Sequence, residues 1–165
     1  PGHNAVHVVK KAEYTLDRPG EYEIGGVFIT GVSTFNPKAS SDTIRRNIIF
    51  VFDFGSYTVG HLGDLDHVPS QSQVEELGPI DVLLVPVGGG GALNSAQAAD
   101  VISLIEPSTV VPMHYKIDGC TLGLDPLDKF LSELGISSVE EQATLSVRGS
   151  SGSEETQVVV LKKSQ

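Results

Sequence analysis

The sequence predicts an α/β protein in which mixed β-sheets are flanked by helices. Residues 81–87 and 109–113 are continuous apolar runs, as is typical of strands buried on both faces. A segment with the signals of a helix follows each of these runs. Because strand and helix alternate in this half of the chain, we expect βαβ crossovers that place helices over at least one face of a sheet.

The first half of the chain has the pattern of antiparallel strands. Residues 21–24 and 27–34 are joined by Gly25 and Gly26, which predicts a β-hairpin. Residues 47–54 and 56–61 are two further strand-like runs. The other predictions for this half are a helical turn within 4–11, a strand at 13–17 and a loop at 36–46. A loop of that length in a compact domain is often functional.

The second half carries start and stop signals of helices. Ser70 is a capping residue before the first helix, and Gly78 follows it. Pro126 lies in the opening turn of the last helix, which Gly135 closes. The predicted helices are residues 70–77, 94–105 and 125–134, and the predicted final strands are 143–148 and 156–162. No internal repeat appears in the sequence, so we expect one domain over residues 1–165.

Composition and charge exclude several classes of function. The 165-residue chain is 39% hydrophobic and has 11 basic against 21 acidic residues, a formal charge of -10. This charge repels a phosphate backbone, so we expect no nucleic-acid partner. No apolar stretch approaches the length of a membrane span, so we expect no membrane contact. The lone Cys120 is compatible with the reducing cytoplasm, which is where we expect the protein.

One short stretch, residues 57–67, has the composition of a functional site. A strand-like run ends there in two histidines, two aspartates and a glycine: His61, Gly63, Asp64, Asp66 and His67. Glycine lets the backbone bend closely, while carboxylate oxygens and imidazole nitrogens are donors for a metal cation. The alternative is an ordinary polar turn in which the aspartates bond to the local backbone.

Three polar residues lie at the ends of segments that could meet at one edge of a sheet: His3, Asp64 and His114. Two imidazoles and a carboxylate are a common ligand set for zinc or iron. Each residue alone also has a structural interpretation, because a histidine after a strand is often only hydrogen-bonded and a terminal histidine is often only solvated. Their convergence would define a metal centre.

These residues lie in motifs that resemble the metallo-β-lactamase superfamily. The motifs follow the family's order over nearly the whole chain: residues 1–4 (PGHN), 20–24 (GEYEI), 31–34 (GVST), 61–64 (HLGD), 85–90 (VPVGGG) and 112–116 (PMHYK). The resemblance is to the branch of small bacterial and archaeal metal-dependent hydrolases related to L-ascorbate-6-phosphate lactonase. It implies an αββα sandwich with one or two metal ions at the shared edge of two sheets.

Residue by residue, the resemblance implies His3, Asp64 and His114 as metal ligands and Asp64 as a catalytic residue as well. The implied metal is zinc, or else manganese or iron. His61 and His67 are then expected to support the site or the fold. The glycine-rich loop at 88–91 could hold an anion ahead of a helix, although a loop that permits close packing is the simpler interpretation.

The chain departs from the family pattern near its start. Gly2 stands where the family has the aspartate that handles the attacking water, and Asn36 stands near the place of a histidine ligand. The first two histidines of the family motif, and the first strands of its fold, would precede Pro1. We therefore expect an exposed sheet edge and apolar surface, covered by a second copy of the chain or by a partner chain.

Together these implications predict a metal-dependent hydrolase acting on a small molecule. A metal-activated water would attack an ester, lactone, amide or phosphoester. The missing aspartate at Gly2 would slow turnover by orders of magnitude. The alternative is a non-catalytic binding or structural member of the same fold.

Overall fold

The computed structural model describes residues 9–36, 46–147 and 156–163. Within these ranges the chain forms seven strands and three helices. In chain order they are β1 (Gly20–Ile24), β2 (Val27–Phe35), β3 (Arg46–Asp53), β4 (Thr58–His61), α1 (Gln71–Leu77), β5 (Val82–Pro86), α2 (Ser95–Ile105), β6 (Thr109–Met113), α3 (Leu127–Glu133) and β7 (Gln157–Val158).

The strands form one mixed sheet in which their spatial order follows their sequence order. The pairs from β1 to β4 are antiparallel, and the pairs from β4 to β7 are parallel. Gly25 and Gly26 turn the first hairpin with φ of 61° and 82°, which β-carbon-bearing residues adopt only at a cost. The carboxyl ends of the parallel strands β4, β5 and β6 consequently lie at one edge of the sheet.

All three helices pack against the same face of this sheet. One apolar cluster joins the strand residues Val32, Ile49, Leu83 and Val110 to Leu77, Val101 and Phe130 of the helices. Because successive strand residues point to opposite faces, these strand positions share one face. We refer to it as the helix-covered face.

The opposite face of the sheet is apolar and carries no helix among the described residues. Its side chains include Ile48, Phe50, Phe52, Val59, Leu84 and Met113, which are half-buried. A β-carbon added at Gly31 would lie 3.0 Å from a ring carbon of Phe50 and 3.4 Å from Ile48, so these side chains share a face with Gly31. We call this surface the open apolar face.

Most of the predicted elements are confirmed. The starts of α1 and α2 could be predicted from local sequence because each helix begins with a complete capping box. These boxes are formed by Ser70 with Gln73 and by Asn94 with Gln97. The last helix begins two residues later than predicted, since Pro126 is still extended at ψ 158°. The predicted helical turn at 4–11 and loop at 36–46 lie largely outside the described residues.

Two strand predictions were wrong, and a third strand is shorter than predicted. Residues 13–17 are not a strand, and β1 is the edge strand of the described sheet. Within 143–147 there is no strand, and the preceding Gln142 makes only an isolated bridge to Leu161. The predicted strand 156–162 is reduced to β7, Gln157–Val158. The residues were β-prone in each case, but a strand also needs a neighbour to pair with.

Candidate metal centre

The structure brings Asp64 and His114 together. Asp64 Oδ1 lies 3.9 Å from His114 Nδ1, and their side chains are 30% and 12% exposed. Asp64 follows β4 and His114 follows β6, so both residues lie where parallel strands end. The third predicted ligand, His3, lies outside the described residues, and within the described part of the chain no group of three acidic, histidine or cysteine side chains could hold a metal ion.

The spacing of this pair is close to that of two ligands of one metal ion. A distance of 3.9 Å is too long for a hydrogen bond between the two side chains. Two donors at about 2 Å from a tetrahedral ion lie about 3.3 Å apart, so a side-chain movement of roughly half an ångström would let both bind the same cation. Asp64 and His114 therefore offer two mutually compatible donors of the kinds that zinc, manganese and iron accept.

The turn that carries Asp64 depends on Gly63. Its φ is 62°, in the left-handed region, and its N–H donates to His61 Nδ1 at 3.0 Å. A β-carbon at this position would lie 2.5 Å from Asn47 Oδ1, which accepts the N–H of Asp64 at 3.0 Å. A glycine is thus required here both by the backbone conformation and by the close approach of Asn47.

His114 is held in an uncommon backbone conformation. Its φ is 54°, which is left-handed and costly for a residue with a side chain. The N–H of Gly88 donates to the His114 carbonyl at 3.0 Å, and a β-carbon on Gly88 would collide with that oxygen. Gly88 therefore holds the turn through which the imidazole reaches the site.

The substitution Gly88→Ala should accordingly destabilise the protein, on the order of 1–3 kcal/mol, because two backbone segments must separate to admit a methyl group. Urea unfolding measures this change. Gly123→Ala is the control, since a β-carbon there meets nothing within 4 Å. Equal midpoints for the two variants would contradict the packing argument.

His61 supports the turn that carries Asp64 through a hydrogen bond to its backbone. Its Nδ1 accepts the Gly63 N–H, so the neutral ring is the form that makes this bond. Burial lowers the pKa of His61 below its ordinary value of 6.5. The neutral ring therefore stabilises the folded protein above pH 6.5, and this contribution is lost as the pH falls through the lowered pKa.

His61→Asn tests this linkage, because an asparagine oxygen can accept the same N–H without titrating. We expect the stability difference, wild type minus variant, to fall as the pH is lowered from 7.5 to 5. Urea unfolding at several pH values gives this difference directly. A difference that stayed constant over the range would show that His61 does not titrate with folding.

His67 pairs with its neighbour. His67 Nδ1 and Asp66 Oδ1 are 2.8 Å apart, and the histidine side chain is 10% exposed. Its Nε2 has no hydrogen-bond partner among the described residues. The predicted role of His67, which is to support the site or the fold, stays a prediction.

The glycine-rich loop after β5 is occupied by the protein's own hydrogen bonds. The N–H groups of Gly88, Gly89, Ala92 and Leu93 donate to carbonyl oxygens of His114, Leu93, Gly89 and Leu65. These amides are not available to cradle an anion. The structure favours close packing as the role of this loop.

A cleft of about 500 Å³ lies near the end of β6, between the following loop and α3. Tyr115, Lys116, Glu141 and Lys163 are among its lining residues, whereas Asp64 and His114 are not. Burial and the nearby charge of Glu141 raise the pKa of the Tyr115 phenol. The cleft therefore begins next to His114 but is not lined by either residue of the candidate metal centre.

The sequence interpretation missed Asn47 and Thr34. Asn47 bonds to the turn of Asp64, and Thr34 is fully buried beside it with its hydroxyl accepting from Asn47 Nδ2 at 3.2 Å. Asn47 lies in β3 outside the motifs that carry the resemblance, whereas Thr34 ends the GVST motif but was assigned no role there. Asn36, at the expected place of a histidine ligand, is half-buried directly after β2.

The described residues form an α/β protein with helices on one face of a mixed sheet, in which a carboxylate and an imidazole meet where parallel strands end. The family model described as the beta-lactamase superfamily domain matches residues 1–114. The chain belongs to the metallo-β-lactamase superfamily, and the predicted fold class is confirmed.

Individual relatives support this assignment. A UPF0173 metal-dependent hydrolase of Pyrococcus abyssi is 38% identical over 100 residues, which are 58% of this chain and 44% of the relative. A UPF0173 protein of Pyrococcus furiosus is 34% identical over 114 residues, 69% of this chain and 49% of the relative. The chain thus spans about half the length of the curated relatives it matches.

A crystal structure shows the same similarity. It is that of a Thermotoga maritima protein assigned to the Zn-dependent hydrolases of the metallo-β-lactamase superfamily. The TM-score is 0.73 and the identity is 38%, over 89% of this chain and 72% of that one. Among the described residues, none of the helices is both long and apolar enough to cross a membrane.

Proposed function

We propose that this protein is a metal-dependent hydrolase that acts on a small ester, lactone, amide or phosphoester. The observation that carries the proposal is the convergence of Asp64 and His114 at the edge where the parallel strands end. The relatives described above as metal-dependent and Zn-dependent hydrolases support the same reaction class.

Asp64 and His114 would hold the ion, and His3 remains the proposed third ligand. Zinc is the preferred candidate because imidazole and carboxylate donors suit it, with manganese and iron as alternatives. A bound ion would act as a Lewis acid and would lower the pKa of a bound water towards neutrality. The chain's own contribution is to orient the two donors and to keep them partly shielded from solvent, where charge interactions are stronger.

Elemental analysis of the purified chain, with its intact mass recorded on the same sample, tests this proposal. About one zinc, manganese or iron per chain is expected, together with hydrolysis in a panel of ester, lactone and phosphoester substrates. The decisive contrary result is a chain that takes up none of the three metals after incubation with each and dialysis.

A non-catalytic member of the fold is the second candidate. It is favoured by Asn36, a poor zinc ligand at the expected place of a histidine. The same measurements separate the two functions, because a chain that binds metal tightly and hydrolyses nothing in the panel would be a binding protein.

We also propose that the 165-residue chain covers its open apolar face with a second copy of itself. Among the described strand residues on that face, Arg46 is the one with a formal charge, whereas Glu21, Glu23 and Asp53 project from the other face. Six strands at about 4.8 Å spacing and about 17 Å length give a projected area of about 500 Å². The protruding side chains make the accessible area larger than this projection and bring it closer to the roughly 800 Å² per partner of a stable interface. The cytoplasm is the proposed location.

A further inference from the structure

Asn47 connects three parts of the protein through its side chain. It lies on β3, and its Oδ1 accepts the N–H of Asp64 at 3.0 Å. Its Nδ2 donates to the Leu62 carbonyl at 2.9 Å and to Thr34 Oγ1 at 3.2 Å. The orientation of the amide is fixed by these partners, because a carbonyl can only accept and a backbone N–H can only donate.

This arrangement fixes the backbone from which the Asp64 carboxylate extends. The amide of Asn47 spans the turn, with one bond before Gly63 and one after it. Once the backbone of Asp64 is fixed, only the two side-chain torsions still determine where its carboxylate lies. The asparagine is itself held in place, because Thr34 is fully buried and its hydroxyl accepts from the amide.

We propose that Asn47, held by Thr34, is a positioning residue that sets the Asp64 carboxylate in the geometry needed to bind metal with His114. This inference rests on the proposed function, in which Asp64 is a metal ligand. Groups that orient a ligand typically change metal affinity by about 10- to 100-fold when they are removed.

Strand β4, which leads into the turn of Asp64, offers a control for a merely structural role of Asn47. At the opposite end of β4, Thr58 Oγ1 donates to the Pro79 carbonyl at 2.8 Å, and the Thr58 N–H donates to Asp81 Oδ2 at 2.7 Å. Thr58→Val removes the hydroxyl bonds of β4 at a distance from Asp64. A loss of general stability should therefore appear in this variant without a loss of metal affinity.

Cobalt binding provides the first measurement, since the absorption of Co²⁺ reports both its affinity and its coordination geometry. We expect Asn47→Ala to weaken cobalt binding about 10- to 100-fold and to change the spectrum. Thr34→Val, which keeps the side-chain shape, should act in the same direction with a smaller effect. Thr34→Ser keeps the hydroxyl, so its cobalt affinity should be closer to that of the wild type than the affinity of Thr34→Val. Thr58→Val should leave the affinity unchanged.

Amide hydrogen exchange of the metal-free chain provides the second measurement. The Asp64 N–H should be protected in the wild type and in Thr58→Val, and it should exchange faster in Asn47→Ala, since its acceptor is lost. Wild-type protection of this amide in Asn47→Ala, or a wild-type cobalt affinity and spectrum, would overturn the proposal.

The two measurements separate this proposal from the proposed function. If the wild type takes up no cobalt, the proposed function fails and with it the effect on affinity. The exchange of the Asp64 amide needs no metal, so it still decides whether Asn47 holds the turn. If Asn47→Ala does not fold, the comparison of Thr34→Val with Thr34→Ser in both measurements tests the same proposal.

Discussion

Asp64→Asn is expected to weaken metal binding by more than about 100-fold and to abolish metal-dependent hydrolysis. The substitution keeps the size of the side chain and the backbone N–H that bonds to Asn47. It removes only the negative charge and one strong donor from the pair with His114. Since removal of a group that merely orients a ligand already costs about 10- to 100-fold, removal of the ligand itself should cost more.

Competition with a chromophoric chelator measures the zinc affinity of this variant. Asp66→Asn is the matched control, because it makes the same change two residues further along the same loop. Asp66 pairs with His67 and lies outside the pair formed by Asp64 and His114. A wild-type zinc affinity in Asp64→Asn, or an equal loss in both variants, would show that Asp64 is not a ligand.

The convergence of Asp64 and His114 was predictable from the sequence. Each follows a strand, and the parallel strands β4 and β6 end at the same edge of the sheet. The crossovers could be inferred from apolar runs alternating with capped helices, because capping boxes and buried strands are local features of the sequence. His3, the third residue of the prediction, lies outside the described residues and remains a prediction.

The support of the site was not predictable in the same way. Asn47 and Asp64 are 17 residues apart and meet only because β3 pairs with β4 in one particular register. A one-residue slip would turn the asparagine to the other face. The requirement for glycine at Gly63 and Gly88 likewise depends on contacts between distant segments, since the Asn47 side chain approaches Gly63 and the His114 carbonyl approaches Gly88.

The false strands have a related cause. Residues 13–17 and 143–147 have the composition of strands, yet the described structure places no partner strand beside them. Composition describes how well a residue fits a pleated surface, whereas pairing depends on the tertiary structure.

Phe50→Glu is expected to convert a self-associated chain into a monomer. Phe50 lies on the open apolar face, within 6.4 Å of the Phe52 ring between centroids. Two such faces would pack about 10 Å apart, and a carboxylate between them would be buried without a partner. We expect the dimer dissociation constant to rise by at least about 100-fold, as measured by sedimentation equilibrium or light scattering.

Phe28→Glu is the matched control for this change. Phe28 pairs with Asp53, on the helix-covered side of the sheet, and it is 59% exposed. The same substitution there should leave the dimer intact. Because each chain has a formal charge of -10, added salt should strengthen the wild-type dimer by screening the repulsion between copies. A wild-type chain that remains monomeric at high salt and high concentration would contradict self-association through this face.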